Sequence, residues 1–591
     1  MDNKNFYPET IFKLSVILLF LIGFSRLFYI QIINGPKYEE ISRKNYVRIK
    51  RINPARGMIL DEKLKPIVNN VPSINLYFKP YLIQNKKKLI EYLSTTLSIE
   101  KKNIEDLIYE NRYRAYNEIL IAENLQLNIL AKISDNMNYY PELLLKAEIL
   151  RNYNILNHFT GYVGKINEEE FKKYKNEDYT INSKIGKLGL EKYYEGLLTG
   201  KSGFEILQVD AHGRNLNLFK ENYKKEPVNG FNLVLTINLD LQEYIQSIFP
   251  NDLAGAVVVI NPKTGAILSY NSFPEYDQNW FASGISQAQW DYLQEHPQKP
   301  LLDRVVLATY PPASTFKIIS AAFGLEKEYI TENTKLAYCN GGMQIGNRYY
   351  KCWNPLGHGR TNLHEAMAVS CDVYFYDLSA RFDLNEFSKF TYDNLLLNKT
   401  GIDLPFERTG FFPNTDWYTK HYGRYFSSVG LKANLVIGQG EALTTPLAVC
   451  NYYAAIANDG VWQSPHLLER VFNESSIYYE DILKKNTKQL PISEKNLKII
   501  QKSLYDTVYR HDGTGHYANV KGAEVYAKTG SAENSFNDLT HAYFVGYAKW
   551  DNVPEIAFLV FIENIGHGGS NAGPIARKII QFYQDNVRTQ K

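Results

Sequence analysis

The sequence predicts a multidomain α+β protein with one N-terminal transmembrane helix, an elongated mixed α/β pedestal and a larger C-terminal domain. Three observations indicate this class. The 591 residues exceed one ordinary core and correspond to roughly three to four domain-sized units. Hydrophobic residues make up 45% and charged residues 22%, a composition typical of globular proteins. A long apolar run stands near the N-terminus, and no comparable run follows it.

The charge balance argues against a nucleic-acid-binding protein. There are 66 basic and 63 acidic side chains, and the net charge is +3. A surface that binds nucleic acid electrostatically needs a marked excess of Lys and Arg. We therefore expect no nucleic-acid partner.

The apolar run at residues 14–33 predicts a transmembrane helix. At ~1.5 Å per residue it reaches about 30 Å, the thickness of a bilayer core. Lys4 and Lys13 precede it, so the positive-inside rule places residues 1–13 in the cytoplasm as a short tail. The chain would then cross the membrane once, with its bulk outside the cytoplasm.

Two features of this run leave an alternative open. Arg26 interrupts it, and its side chain would either extend to the membrane surface or face a membrane partner. The small-x-small sequence at residues 23–25 resembles a cleavage site, so a removed signal peptide is the alternative. Because the apolar stretch continues past that site to Ile33, we favour a retained anchor.

Residues 34–225 predict the pedestal. Apolar and polar residues alternate at 46–49 and again at 57–61, a pattern typical of short strands. Between about 75 and 160, apolar residues recur three and four positions apart, which predicts a helical insertion. The stretch 186–210 predicts a helix followed by a strand.

A change of pattern near residues 225–230 marks a predicted boundary, and residues 226–591 form the C-terminal domain. Two apolar strands early in this domain flank a Pro-Lys-Thr-Gly sequence at residues 262–265. Pro and Gly are turn residues, and the flanks alternate as in a hairpin. We therefore predict that this Lys-Thr-Gly is a surface turn without chemistry.

A candidate nucleophile stands in YPPASTFKIISAA, residues 310–322. Pro312 suits the first turn of a helix, because it lacks the N–H that would be unpaired there. Ser314 and Lys317 are three apart and share a helix face, with Ser314 at the helix start, where N–H groups favour negative charge. A serine hydroxyl needs a base to become a nucleophile. Desolvation or a neighbouring cation can make a lysine neutral enough to be that base.

Two further groups follow in order along the chain. Ser-Cys-Asp stands at residues 370–372, and Lys-Thr-Gly-Ser stands at residues 528–531 after a predicted strand. Gly530 in the second group permits close approach of a ligand. Another Ser-x-x-Lys, at residues 98–101, lies in a polar helical stretch with no such groups in order behind it. We predict that this copy is a solvated helix face.

The three groups in this order resemble the penicillin-recognising serine acyltransferases, which include penicillin-binding proteins and β-lactamases. The flanking sequences are similar to class B penicillin-binding proteins over nearly the whole chain. They are PARGMILD, GKLGLEKYYEGLLTGKSG, PPASTFK, GHGR, SCDVYFY, IGQGEALTTPL, AKTGSAE and HAYFVGY. GHG followed by SCDVYFY looks closest to the elongation type. The general family has Asn at the position of Asp372, whereas Asp is common in the elongation type.

The resemblance implies a C-terminal penicillin-binding transpeptidase domain, an antiparallel sheet flanked by helices, on a dimerisation-type pedestal. It implies a membrane-anchored enzyme that cross-links peptidoglycan stem peptides during cell-wall elongation, with no cofactor for catalysis. Ser314 would attack the penultimate D-Ala carbonyl of a donor peptide, with Lys317 as the base. Ser370 would relay a proton to the leaving amine, Lys528 would supply positive charge, and Asp372 would be a further catalytic residue.

The resemblance also implies the substrate contacts and the partners. Thr529, Gly530 and Ser531 would bind the substrate, and the N–H groups of Ser314 and Ser531 would form an oxyanion hole. The implied partners are the D-Ala-D-Ala end of a stem peptide, β-lactams, the membrane, a SEDS-family glycosyltransferase and rod-complex scaffold proteins.

Other functions share these motifs. A D,D-carboxypeptidase differs only in using water as the acceptor, which the sequence does not exclude. A β-lactamase needs a device that activates deacylating water, and none is recognisable. A bifunctional class A enzyme needs a glycosyltransferase domain, for which residues 34–225 look too short. A scaffold with weak catalysis, which activates a SEDS-family polymerase, is an alternative from a different class.

Three of the four cysteines cluster with a histidine in the pattern Cys-x12-Cys-x5-His-x12-Cys: Cys339, Cys352, His358 and Cys371. The residues alone leave three alternatives open. A structural zinc would use all four groups; a Cys339–Cys352 disulfide would leave Cys371 free; or all the thiols are free. Some elongation-type proteins are thought to carry a metal here, so the resemblance favours zinc. Cys450, in an apolar helical stretch, is predicted to be a core residue.

Overall fold

The structure is a computed structural model, and it describes residues 8–39, 47–113, 118–174, 179–180, 183–208, 224–423, 428–473, 476–478, 486–534 and 539–590. It opens with α1 (Pro8–Phe28), which continues as a π-helical turn over Tyr29–Ile33. The 24-residue segment Thr10–Ile33 is long and apolar enough to cross a membrane. The helix begins before the predicted start at residue 14, because hydropathy marks only its apolar part.

A mixed α/β region follows the N-terminal helix. Its strands are β1 (Val47–Ile52), β2 (Ile59–Leu60), β3 (Pro66–Phe78), β4 (Ile119–Ala122), β5 (Leu143–Tyr153), β6 (Val163–Lys165), β7 (Lys184–Gly186), β8 (Gly203–Gln208) and β9 (Lys224–Lys225). Its helices are α2 (Lys86–Leu97), α3 (Lys101–Glu110), α4 (Leu127–Asn136), α5 (Glu168–Lys173), α6 (Gly189–Tyr193) and α7 (Glu195–Leu198). The strands β1, β8 and β9 form a three-stranded sheet, and β3 pairs with β5 over eleven residue positions from Val68 to Phe78.

The insertion that we predicted to be helical contains both helices and strands. Helices α2, α3 and α4 bury Leu89, Ile104 and Ile133 in a small core against the far end of β3. The strands β4 and β5 lie in the same stretch and pair with β3. Apolar runs as short as LLL in β5 fit a helix or a strand equally well, which is why the periodicity missed them. The second Ser-x-x-Lys, at residues 98–101, joins α2 to α3.

A buried ion network holds the PARG sequence against the GLEKYYEG sequence. The guanidinium of Arg56 lies 2.6 Å from carboxylate oxygens of both Glu191 and Glu195. The Arg151 guanidinium lies 2.7 Å from the other oxygen of Glu191. Removing one member of such a buried network would leave an uncompensated charge, at a cost of about 3–5 kcal/mol. These motifs therefore stabilise the pedestal through buried ion pairs.

The C-terminal region is larger and richer in helices. Its strands are β10 (Asn232–Leu235), β11 (Gly255–Ile260), β12 (Ile267–Phe273), β13 (Gly342–Ile345), β14 (Arg348–Lys351), β15 (Val461–Gln463), β16 (Leu468–Asn473), β17 (Ser476–Tyr478), β18 (Thr487–Gln489), β19 (Glu524–Ala532), β20 (His541–Trp550) and β21 (Val553–Ile562). Its helices are α8 (Leu239–Ile248), α9 (Asn279–Ala282), α10 (Gln287–Glu295), α11 (Lys317–Glu326), α12 (Leu363–Ala368), α13 (Asp372–Ser379), α14 (Leu384–Asp393), α15 (Thr415–Tyr422), α16 (Ser428–Val436), α17 (Pro446–Ala457), α18 (Glu494–Tyr509) and α19 (Gly568–Phe582).

The centre of this region is a five-stranded antiparallel sheet in the order β12-β11-β21-β20-β19. Helices cover both faces, which explains why strands such as GAVVVI are apolar throughout. Val257 and Val259 pack with α8 and α19, whereas Val258 and Ile260 belong to the larger core on the other face, with α11 and α17. The predicted antiparallel sheet flanked by helices is confirmed. β19 lies at the edge of this sheet.

The first Lys-Thr-Gly is a turn, as predicted. It connects β11 to β12, and the Asn261 side chain accepts a hydrogen bond from the Lys263 N–H at 3.0 Å. Gly265 has a φ of +78°, which a glycine adopts without strain. This copy lies near Val553 and Glu555, at the opposite end of the sheet's strands from the second Lys-Thr-Gly.

One sheet joins the two regions of the chain. Its order is β17-β16-β10-β2-β3-β4, with β5 also paired to β3. The junction is the parallel pairing of Leu233 with Ile59 and of Val234 with Leu60. The pedestal is therefore continuous in hydrogen bonding with strands that follow residue 225.

Candidate active site

The candidate nucleophile lies on a tight turn ahead of a buried helix. We predicted one helix from Ser314 onward, but residues Ala313–Phe316 form a 3-10 turn and α11 begins at Lys317. Ala313 has a φ of +51°, so the chain enters this turn from a conformation that a helix does not allow. The Ser314 side chain lines a cleft, while Lys317 lies behind it and is completely buried.

The Lys317 ammonium is held by the Ser-Cys-Asp group. Its Nζ lies 2.7 Å from Asp372 Oδ1, 2.8 Å from the Ser370 carbonyl oxygen and 3.2 Å from Ser370 Oγ. Asp372 is also buried, and its other oxygen accepts the Trp353 N–H at 3.0 Å. Burial raises the pKa of Asp372, although the charge of Lys317 opposes this.

Backbone strain places Ser370 in the cleft. Its φ is +55°, in the left-handed region that non-glycine residues occupy at a cost of about 1–3 kcal/mol. The strained residue ends the turn after α12, and α13 begins two residues later at Asp372. This reversal directs Ser370 and Asp372 into the same cleft.

Lys528 is the second lysine of the site. It lies on β19 and is fully buried, and its Nζ donates a long hydrogen bond of 3.4 Å to the Thr529 carbonyl oxygen. Desolvation and the nearby charge of Lys317 lower the pKa of Lys528 well below its ordinary value, while Asp372 acts in the opposite direction. The two lysines therefore differ: Lys317 has a direct carboxylate partner, and Lys528 is poorly compensated.

The cleft has a volume of about 640 Å³. It brings together the predicted residues Ser314, Ser370, Asp372, Thr529, Gly530 and Ser531. Gly530 allows this approach, because a Cβ there would lie 3.1 Å from Thr315 Cγ2 and 3.5 Å from Ala313 Cβ. The end of β19 thus packs directly on the nucleophile turn.

Sequence analysis missed several residues that line the cleft. They include Gln439, Thr514, His511, His516 and His567. The hydroxyl of Thr514 accepts a hydrogen bond from the Thr529 hydroxyl at 2.9 Å. From the sequence, the isolated histidines His511, His516 and His541 are predicted to be structural. In the structure, His541 accepts a hydrogen bond from the Asn564 N–H at 3.1 Å. His511 and His516 instead stand on the cleft wall, in a loop whose sequence carries no periodic signal.

The predicted metal-binding residues also converge. The ligand atoms of Cys339, Cys352, His358 and Cys371 all lie within 4.8 Å of one another. His358 Nδ1 is 3.7 Å from the Cys339 sulfur and 3.5 Å from the Cys352 sulfur. A zinc tetrahedron with Zn–S of ~2.3 Å and Zn–N of ~2.0 Å has edges of about 3.5–3.8 Å. All four cysteines are free thiols here, and Cys450 is a buried core residue as predicted.

Comparisons with known proteins agree with this architecture. The family described as the penicillin binding protein transpeptidase domain matches residues 255–581, and the penicillin-binding protein dimerisation domain matches residues 51–235. The peptidoglycan D,D-transpeptidase MrdA of Haemophilus influenzae is 31% identical, over 96% of this chain and 90% of that protein. The complex of penicillin-binding protein 2 and MreC from Helicobacter pylori has a TM-score of 0.78 at 27% identity, covering 92% of this chain and all of that one.

A third similarity concerns a larger assembly. A structure described as the structural coordination of polymerization and crosslinking by a peptidoglycan synthase complex has a TM-score of 0.71 at 25% identity. The match covers 97% of this chain and 98% of that one.

The fold and the two matched domains define a penicillin-binding serine transpeptidase. The chain belongs to the penicillin-binding protein family, and its similarity to MrdA and to penicillin-binding protein 2 extends over nearly its full length. The resemblance to class B penicillin-binding proteins of the elongation type is thereby confirmed.

Proposed function

We propose that this protein is a membrane-anchored peptidoglycan D,D-transpeptidase that acts through a serine acyl-enzyme. The observation that carries the proposal is the convergence, in one cleft, of a serine on a helix-starting turn, a buried lysine–aspartate pair and the end of a strand bearing Lys-Thr-Gly. The similarity to MrdA supports peptidoglycan cross-linking in cell-wall elongation as the reaction.

The acylation step uses the groups around Ser314. Its hydroxyl attacks the carbonyl of the penultimate D-Ala, and the N–H groups of Ser314 and Ser531 stabilise the oxyanion. The hydroxyl proton leaves through Lys317, which can serve as base only in its neutral form. Asp372 Oδ1 lies 2.7 Å from Lys317 Nζ, which is close enough for this carboxylate to take up the ammonium proton and leave the amine neutral.

The proton must then reach the departing D-alanine. Ser370 Oγ lies 3.2 Å from Lys317 Nζ and faces the cleft, which suits it to relay a proton to the leaving amine. Thr529 and Ser531 hold the terminal carboxylate of the donor, next to the buried amine of Lys528. An amine of a second stem peptide then attacks the acyl-serine, and the cross-link forms.

The carboxypeptidase and scaffold alternatives differ from this proposal in one respect each. A carboxypeptidase would use water as its acceptor, and the cleft is open to solvent. A scaffold would need no reactive serine. The intact Ser314, Lys317 and Lys528 in one site favour catalysis.

We also propose a structural zinc held by Cys339, Cys352, His358 and Cys371. The three thiols and one imidazole form a donor set that zinc prefers, and their separations fit a tetrahedron. The metal would fix Cys371, which stands between Ser370 and Asp372. It would also fix Cys352, whose neighbour Trp353 donates its N–H to Asp372. No catalytic step passes through the metal.

We further propose that α1 anchors the protein in the inner membrane, with residues 1–13 cytoplasmic, 14–33 in the bilayer and the remainder periplasmic. The pedestal would extend over residues 34–225 and the transpeptidase domain over 226–591. The similarity to a peptidoglycan synthase complex that coordinates polymerization and crosslinking supports a polymerising partner, which for this chain we propose to be a SEDS-family glycosyltransferase. The complex of penicillin-binding protein 2 with MreC supports a scaffold partner.

Mass spectrometry with a labelled penicillin tests the proposed function. The wild-type chain should gain one covalent label, on the peptide that contains Ser314, and Ser314→Ala should gain none. Ser320→Ala is the matched control, because Ser320 lies in α11, the helix that follows the nucleophile turn, and its hydroxyl donates to the Val436 carbonyl oxygen away from the cleft. Labelling of Ser314→Ala would refute the assignment of the nucleophile.

A further inference from the structure

The segment Ile437–Gly440 lies against the nucleophile turn. The Ala313 N–H donates to the Gly438 carbonyl oxygen at 2.8 Å. A Cβ on Gly438 would lie 2.4 Å from the Ala313 oxygen, so only glycine permits this contact. The position of the next residue, Gln439, is thus fixed relative to Ser314. Ile437 and Gln439 both line the cleft.

The Gln439 carboxamide crosses the cleft to the edge of the main sheet. Its Nε2 donates to the Ser531 carbonyl oxygen at 3.0 Å, and its Oε1 accepts the Glu533 N–H at 3.3 Å. β19 is the edge strand of this sheet, so these two backbone groups face outward, and none of the strands that the structure describes pairs with them. Outward-facing C=O and N–H groups on an edge strand are the groups that the backbone of an added extended peptide would bond.

We propose that Gln439 is a specificity-determining residue that competes with the backbone of the donor peptide for the edge of β19. The inference rests on the proposed function, because it takes the donor to be an extended peptide that acylates Ser314. A peptide that places its carbonyl at the Ser531 N–H has its next amide beside the Ser531 carbonyl oxygen, which Gln439 occupies. Gln439 must move away before that amide binds. A substrate whose amide replaces the lost hydrogen bond to the Ser531 carbonyl oxygen is therefore favoured over one that does not replace it.

The test compares two probes on the full-length protein. One is a labelled penicillin with an acylamino side chain, which offers an amide to the strand edge. The other is the same penam nucleus without the acylamino group. Gln439→Met keeps the length of the side chain but removes both hydrogen bonds, and Gln439→Ala removes the side chain. Gln344→Met is the control, because Gln344 makes a similar bond to the Gly346 carbonyl oxygen on an exposed hairpin.

We expect both Gln439 variants to be acylated by the acylamino penicillin about three- to tenfold faster at low concentration, the effect of one or two exchanged hydrogen bonds. The gain should lie in non-covalent binding, with the maximal acylation rate unchanged. Acylation by the bare nucleus should stay the same, and Gln344→Met should match the wild type with both probes.

Three results would overturn the inference. Equal rates for wild type and variants with the acylamino probe would show that Gln439 does not compete. Slower acylation with that probe alone would show that Gln439 binds the donor, and slower acylation with both would show a structural role. If the wild type is not labelled by either probe, the proposed function fails, and this inference fails with it.

Discussion

At the residue scale, the two lysines of the site differ in what compensates their charge. Lys317 has the Asp372 carboxylate at 2.7 Å, whereas the nearest partner of Lys528 is a carbonyl oxygen at 3.4 Å. A buried ammonium without a carboxylate is costly, so the charged form of Lys528 opposes folding.

The lowered pKa of Lys528 predicts a pH-dependent stability difference. The folded chain binds the proton of Lys528 less tightly than the unfolded chain, so the charged amine lowers the free energy of unfolding. This destabilisation is fully present at pH values below the folded pKa, and it disappears as the pH approaches the ordinary value of 10.5. We expect Lys528→Met to be more stable than the wild type to urea near neutral pH. This advantage should shrink as the pH is raised toward 10.5.

Urea unfolding of the two proteins at several pH values measures this difference. Lys263→Met, in the exposed Lys-Thr-Gly turn, is the control and should show no such trend. An advantage of Lys528→Met that is constant or that grows with pH would contradict the burial of an uncompensated amine.

The residues of the site could be predicted from the sequence, but their charge states could not. Ser314, Lys317 and the two later groups were found from their order along the chain. The pairing of Lys317 with Asp372 joins positions 55 residues apart, and no local pattern reports it. The role of Gln439 likewise depends on a contact with Ser531, which is 92 residues away.

At the element scale, the cysteine cluster joins the β13–β14 hairpin to the start of α13. Cys352 follows β14, and Cys371 caps the N-terminus of α13, directly beside Ser370. A hydrogen bond from the Cys371 thiol lowers the pKa of Cys352, despite the opposing effect of burial. The cluster thereby holds the hairpin against the motif that contacts Lys317.

The proposed zinc predicts one metal ion per chain, measured by elemental analysis of the purified protein. Removing the metal with a chelator should slow acylation by a labelled penicillin, because Ser370 and Asp372 lose their support. We expect a fall of about 10-fold or more, the usual effect of disturbing groups that orient a site. The melting temperature should fall as well.

Two variants distinguish the role of the Cys339, Cys352, His358 and Cys371 cluster from that of Cys450. His358→Ala should lose the metal, while Cys450→Ala should retain it, because Cys450 is buried in α17 away from the cluster. A metal-free wild type with an intact Cys339–Cys352 disulfide would eliminate the zinc proposal.

Elements with strong patterns were predicted well, and those set by packing were not. The hairpin around residues 262–265 followed from its turn residues and its flanks. The 3-10 turn at Ser314 did not, since it depends on the backbone of Ala313 being held by Gly438, far along the chain. The strand β5 was missed because it is paired along its length with β3, a long-range contact.

At the scale of the whole molecule, a buried carboxylate links the pedestal to the transpeptidase region. Asp403 accepts the Tyr194 hydroxyl at 2.9 Å, and also the N–H groups of Leu467 and Leu468 at 2.7 and 2.9 Å. Tyr194 lies between α6 and α7, so this contact positions the pedestal helices on the catalytic region.

Tyr194→Phe should lower the free energy of unfolding by about 1.5–3 kcal/mol, because it removes a hydrogen bond to a buried charged group. Tyr193→Phe is the matched control: Tyr193 is 48% exposed as a residue, and we expect a change within about 0.5 kcal/mol. Chemical denaturation followed by fluorescence gives both values. Equal effects of the two substitutions would mean that the Asp403 contact does not stabilise the protein.

The parallel pairing of β10 with β2 has a practical consequence for truncation. A soluble fragment that starts at residue 226 would keep β10 paired with β16 but lose β2 on its other side, exposing the backbone groups of β10 that β2 had covered. Such a fragment would tend to self-associate, whereas one that starts ahead of Ile59 keeps the strand covered. A recombinant fragment of the catalytic region should therefore also include the pedestal from β2 onward.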